Sequence, residues 1–186
     1  MDTFSYLSVL LSIILGLAVQ QVLQGYRSLI LSRRRITFYA PPLIWSVLIL
    51  LMVAQHWWAS FGLAGHGYWS FGMFATILIQ TALIYMMAAI VLPDVPADEK
   101  LDLRDHYYRE APAFFGLGAV TVGWSVFREY MLFGMLLERT NLIFHLVFIA
   151  LSLTAIFVKR PRLHEALALI MAVLFALYVA VLFARL

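Results

Sequence analysis

The chain has no cysteine. Disulfides, thiolate metal sites and cysteine nucleophiles are thereby excluded together, and the redox state of the compartment leaves no mark on the sequence. Charge is scarce as well: 12% of the 186 residues are Asp, Glu, Lys or Arg, against about 25% in soluble domains. Low-complexity tracts are missing, so no disordered tail or long linker is expected. A glycine-rich phosphate loop ahead of a helix, an HExxH zinc helix and a GxSxG nucleophile turn are all absent, and no acid pair marks a pocket. Nothing in these patterns argues for an enzyme. The opening MDTFSY carries an acid and no basic stretch, so a cleaved signal peptide is not expected.

What is there is apolar: 64% of the chain. A soluble domain of this size has too little interior to hide so much, whereas a bilayer supplies the missing apolar surroundings. A crossing helix needs about 20 apolar residues, and six runs qualify: 4–30, 42–63, 68–93, 111–137, 140–158 and 163–185. The expected fold is an all-α integral membrane protein, a single six-transmembrane-helix bundle spanning 1–186. Each break has a chemical cause. RSLILSRRR ends the first run with charge, Pro41-Pro42 open the second, and GLAGHG is a turn written in glycine. LPDVPADEK ends the third, Pro112 suits the first turn of the fourth, and Lys159-Arg160-Pro161-Arg162 separates the last two.

Charge orients the spans. The net charge of +3 does not point to nucleic acid, because the basic residues sit in short loops between apolar runs. Arg33, Arg34 and Arg35, then Lys100, Arg104 and Arg109, then Lys159, Arg160 and Arg162 fall on one side, leaving Arg139 and Arg185 on the other. The positive-inside rule makes the basic loops cytoplasmic and both termini external, in a plasma or inner membrane. Trp57, Trp58, Tyr68 and Trp69 form the expected aromatic belt at the outer surface.

Small residues recur at helical spacing: Ser8, Ser12 and Gly16 in the first span, Gly116, Ala119 and Gly123 in the fourth. Both stripes are candidate helix-packing seams. Aligning Gly16 with Gly123 sets Gln21 against Arg128, which would make 1–93 and 111–186 inverted three-helix repeats, an architecture shared by many transporters.

Polar residues inside the spans are the candidate functional groups. Gln20, Gln21 and Gln24 fall within an arc of about 100°, continuing the serine-glycine side. An amide facing lipid leaves its donors and acceptors unpaired, so this face calls for protein, a hydrated path or headgroup water. Gln80 stands alone in the third span, as a helix contact or part of that path. An outer cluster gathers Gln55, His56, Arg128, Glu129 and His145. At 1.5 Å per residue, His56 lies about 10 Å, Arg128 and Glu129 about 13 Å and His145 about 6 Å from the outer ends of their spans. Adjacent residues point about 100° apart, so Arg128 and Glu129 are not expected to pair with each other. The cytoplasmic stretch LDLRDHYYREAP offers Asp105, His106, Tyr107, Tyr108 and Arg109 as a docking site, or as an interfacial lead-in with the tyrosines among headgroups.

Three function classes fit. The leading one is a channel or transporter for an ion, proton or small polar solute. The second is a non-catalytic membrane subunit or homo-oligomeric scaffold, joined through the Ser8-Ser12-Gly16 seam. The third is a haem-binding electron carrier using His56 and His145, for which no spacing motif exists. No cofactor is expected under the first two, and no metal site, since no His or carboxylate pair has ligand spacing.

Overall fold

The computed structural model describes residues 3–65, 67–94 and 100–182. Within them lie six α-helices: α1 (Thr3–Leu31), α2 (Ala40–Ser60), α3 (Phe71–Val91), α4 (Leu103–Phe133), α5 (Arg139–Phe157) and α6 (Pro161–Leu182). The all-α helical bundle is as expected, and five helices are long and apolar enough to cross a membrane. The exception is α4, which carries a polar lead-in before Ala111 and Arg128 and Glu129 near its far end. His66, the 95–99 part of the third-to-fourth loop and Arg185 lie outside the described residues.

Local chemistry sets the helix ends. Tyr39 is extended and prolines fill the first positions of α2, where a missing N–H costs nothing. Ser70 caps α3 by accepting from the Met73 N–H at 3.2 Å, and Asp102 caps α4 by accepting from the Arg104 N–H at 2.7 Å. Gly134 closes α4 with φ +66°, and its N–H returns to the Tyr130 carbonyl at 2.8 Å. Glycine takes this left-handed cap without strain.

The start of α4 corrects the sequence reading. The helix begins at Leu103, not near 111, and Pro112 sits inside it rather than in its first turn. Proline there deprives the Tyr108 carbonyl of its helical donor. The helix continues because its lead-in has one buried stripe, Leu103, His106, Tyr107, Ala111, Phe114 and Phe115, at helical spacing.

The three basic loops gather at one end of the bundle. A two-residue parallel pairing joins β1 (Ile36–Thr37) to β2 (Leu101–Asp102), with Ile36 opposite Leu101. Beside it Tyr107 donates to Nδ1 of His164 at 2.9 Å, and the Tyr39 and Tyr108 hydroxyls lie 3.3 Å apart. This links the loop after α1, the lead-in of α4 and the start of α6.

Association of helices in lipid rests on close van der Waals packing rather than on removal from water. The buried stripe of α1 is Leu7, Leu11, Leu15, Ala18 and Val22, with Gly25 at its end. A Cβ on Gly25 would stand 2.6 Å from Cβ of Leu92. Only glycine lets α1 approach the end of α3 this closely. Within the chain, the glycines of the small-residue stripes make no close helix contact: a Cβ at Gly16, Gly116 or Gly123 would meet nothing within 4 Å. On α4 the tighter position is Gly118, whose Cβ would lie 3.5 Å from Cε of Met87. Contacts do not mirror between the halves. α1 runs closely along α3, whereas α4 and α6 meet chiefly through Tyr107, Phe115 and His164.

Candidate functional site

A partly open cavity of about 410 Å³ lies among α2, α3, α4, α5 and α6. Gln55, His56, Arg128, Glu129 and His145 all line it, and so does Gln80. The outer cluster is thus brought together, with the lone glutamine of α3 added to it. At the end away from the basic loops the lining includes the exposed Gly62 and Phe133. At its other extreme are Trp45, Phe114 and Phe115. The Trp45 ring meets Phe114 edge-on at 5.4 Å and Phe115 at 5.1 Å, and Phe115 in turn borders Tyr107 and His164. An aromatic plug therefore separates the cavity from the basic end.

The polar wall is organised by side chains bonded across helices. Gln80 donates from Nε2 to the Thr121 carbonyl at 3.2 Å, which fixes its amide orientation. A carbonyl can only accept, so the nitrogen must face it and Oε1 is turned elsewhere. Trp124 donates to the Thr76 carbonyl at 2.8 Å, a second tie between α4 and α3. The Thr81 hydroxyl donates to the Ile77 carbonyl at 2.9 Å, so Nε2 of His56, 3.0 Å away, supplies the proton of their shared bond. His56 is then the Nε2–H tautomer.

His145 is held more tightly. Nδ1 donates to the Asn141 carbonyl at 2.8 Å, and Nε2 lies 2.8 Å from Oγ of Ser125, itself 2.6 Å from the Val122 carbonyl. Ser125 has one proton for two acceptors. With a neutral ring it gives that proton to Nε2; with both ring nitrogens protonated it accepts from Nε2 and gives to Val122. The chain accommodates one proton more or fewer by turning a single hydroxyl. Both His145 nitrogens are thereby engaged, and iron ligation by His56 and His145 would require breaking these bonds.

Arg128 and Glu129 do approach each other, correcting the expectation from adjacency: Nη2 and Oε2 are 3.6 Å apart. Long side chains overcome the angular separation of their Cα atoms. The separation still exceeds the roughly 2.7–2.9 Å of a charge-assisted hydrogen bond. Nε of Arg128 is buried without a partner, as are Nε1 of Trp45, Oε1 of Gln80 and Oδ1 of Asn141, and all four residues line the cavity. Buried polar atoms are nearly always satisfied. A cavity wall with four that are not has capacity for water or a solute.

The first-span glutamines lie elsewhere. Gln20 and Gln24 are exposed on the outside of the bundle, with Ser12 and Gly16 on the same outward side. Gln21 donates to the Tyr85 hydroxyl at 3.2 Å, and Ser12 accepts from Trp57 Nε1 at 3.1 Å. Ser8 donates back to the Ser5 carbonyl at 2.9 Å, and Ala119 is half-buried. None of these residues lines the cavity.

The proposed docking stretch is likewise divided. Asp105 and Arg109 are exposed, Tyr108 is half-buried, and His106 and Tyr107 are buried. Tyr107 is not among the headgroups but serves as a strut to α6. Burial raises the pKa of Tyr107 and Tyr39, with Tyr108's hydrogen bond adding to the effect at Tyr39, so both phenols keep their protons. Burial also lowers the His106 pKa; Glu110 opposes the shift and Arg109 adds to it.

Sequence reasoning missed Thr121, Ser125, Asn141, Trp45 and Tyr178, which line the cavity, and His164 below it. A signal existed for α4: Gly118, Thr121, Ser125, Arg128, Glu129 and Leu132 recur at three- and four-residue steps, one small and polar face. Comparison with protein-family models, with curated proteins and with solved structures finds no match for this chain.

Proposed function

We propose that the protein is a small membrane channel or transporter whose central cavity receives a small solute from the side opposite the basic loops. The observation that carries this reading is the convergence of Gln55, His56, Gln80, Arg128, Glu129 and His145 on one cavity. Ionisable groups inside a membrane are costly and mark pathways and binding sites when they face an interior space. Positive-inside bias puts the basic loops in the cytoplasm, so the cavity opens outward and the Trp45-Phe114-Phe115 plug is the inner barrier. Passage then requires this barrier to part while the outer side closes, as in alternating access. The His145–Ser125 pair provides a place where one proton is gained or lost as a single hydroxyl turns between Nε2 and the Val122 carbonyl.

The test is solute flux in proteoliposomes with Arg128→Leu and Gln80→Leu. Flux undiminished in both would end the transport reading. A second reading, a homo-oligomer or a subunit of a larger membrane assembly, is favoured by one observation. Ser12, Gly16, Gln20 and Gln24 face outward, with open space at Gly16. A neighbouring helix would satisfy amides that lipid cannot. Cross-linking in native membranes that persists unchanged in Gly16→Leu would count against it.

A further inference from the structure

The unpaired groups of the cavity wall specify more than polarity. On one side is a cation with an unused donor, Nε of Arg128, and a second, neutral unused donor is Nε1 of Trp45 at the plug. On the other are acceptors with unused capacity: Oε1 of Gln80, Oδ1 of Asn141 and the Glu129 carboxylate, whose contact with Arg128 is 3.6 Å long. Gln80 is only 5% exposed, and its amide orientation is fixed by Thr121, so Oε1 is an acceptor by necessity. The Arg128 and Glu129 side chains keep 20% and 30% of their exposure, enough to be met by something in the cavity.

The complement to this set is one anionic group together with several N–H donors. A solute bearing only negative charge would satisfy Arg128 and face Glu129. One bearing only positive charge would do the reverse, and each mismatch is a penalty in a low-dielectric site. A zwitterion meets both. Further polar groups, Gln55, Thr121, Ser125 and Ser152, are interspersed in the wall. Its aromatic and aliphatic part is formed by Met52, Phe114, Phe115, Phe148 and Met171 with the Trp45 ring. That part offers a large surface to a hydrocarbon or aromatic body. The volume of about 410 Å³ falls in the range of small-molecule sites, roughly 300–1,000 Å³, and is far more than an inorganic ion requires.

We propose that the solute is an apolar amino-acid-like zwitterion, with its carboxylate on Arg128, its ammonium toward Glu129 and the side-chain amide oxygens, and its body toward the Trp45-Phe114-Phe115 plug. This rests on the cavity being the binding site, and the experiment separates the two ideas. The full chain in lipid nanodiscs is titrated with phenylalanine and leucine as probes. 3-Phenylpropionate lacks the ammonium, phenethylamine lacks the carboxylate, and glycine lacks the apolar body. Each should bind about tenfold more weakly or worse, because each leaves buried charged or apolar surface unmatched. Arg128→Gln should lose the preference for phenylalanine over phenethylamine. Should that variant fail to fold, the series on the unmodified protein still decides.

In parallel, Val122→Cys in the cavity wall and Leu23→Cys on the outside of α1 are exposed to a small membrane-impermeant thiol reagent. Labelling at Val122→Cys that phenylalanine slows supports the proposal. Equal binding of either single-charge analogue overturns it. Labelling of Val122→Cys with no binding by either amino acid overturns the solute class and leaves the cavity reading standing. No labelling of Val122→Cys overturns both.

Discussion

Two regions of this molecule place polar side chains in the apolar layer, and the structure treats them in opposite ways. On α1, Gln20 and Gln24 continue the serine-glycine side and face outward. In the cavity, Gln80, His56 and His145 are buried and bonded across helices to Thr121, Thr81 and Ser125. Composition alone makes the two equivalent, since an unpaired amide in hydrocarbon costs several kcal/mol wherever it is. The difference is rotational. The face of α1 that packs is Leu7, Leu11, Leu15, Ala18, Val22 and Gly25, and the glutamines lie on its other sides. On α4 the polar face is the one turned inward.

The comparison breaks most sharply at Arg128. Arg128→Leu leaves Glu129 without a neighbouring cation and removes the proposed anion site. Solute flux in proteoliposomes should fall at least about tenfold, the scale of losing one charged interaction. Unchanged flux would put the cavity on the same footing as the outward stripe. Next in size is a packing test. Gly25→Leu drives a side chain into Leu92 and should lower thermal stability in lipid by about 1–3 kcal/mol, whereas Gly16→Leu should leave a monomer's stability unaltered. Equal melting shifts for the two would mean the packed and open faces of α1 have been exchanged.

A smaller effect is expected at the basic end. Tyr107→Phe keeps the ring contacts and removes only the bond to His164, at a cost of about 1 kcal/mol. Thermal unfolding of the parent, Tyr107→Phe, His164→Phe and the double variant closes a cycle that measures the coupling. The smallest response belongs to the stripe itself: Gln20→Leu and Gln24→Leu together should not change flux through the cavity. A loss comparable to Arg128→Leu would bring α1 back into the pathway. An altered cross-linking pattern with normal flux would identify the stripe as an assembly face.

The helices were legible because the bilayer imposes a length and a composition on them, and Pro41-Pro42, GLAGHG, LPDVPADEK and Lys159-Arg160-Pro161-Arg162 mark the breaks chemically. The outer cluster was legible because ionisable residues in apolar runs are conspicuous one by one. The lead-in of α4 was misread: Pro112 suggested a helix start, yet the stripe from Leu103 to Phe115 has enough buried surface to carry the helix through it. Gly16, Gly116 and Gly123 are not close contacts within the chain, because small residues at helical spacing describe a face and not what it touches. Gly25, a lone glycine outside the stripes, proved to be the close contact.

The sequence by itself determined that the chain forms apolar helices, that their breaks are short and basic on one side, and which ionisable groups lie within the apolar runs. These follow from local composition, since hydropathy, capping and charge act within a few residues. The tertiary structure alone decided which face of each helix turns inward. It also decided that five helices leave a cavity between them and that the unpaired atoms of Gln80, Arg128 and Asn141 share its wall. Helix rotation and helix pairing depend on how side chains from distant parts of the chain fit together, and no local pattern encodes that fit.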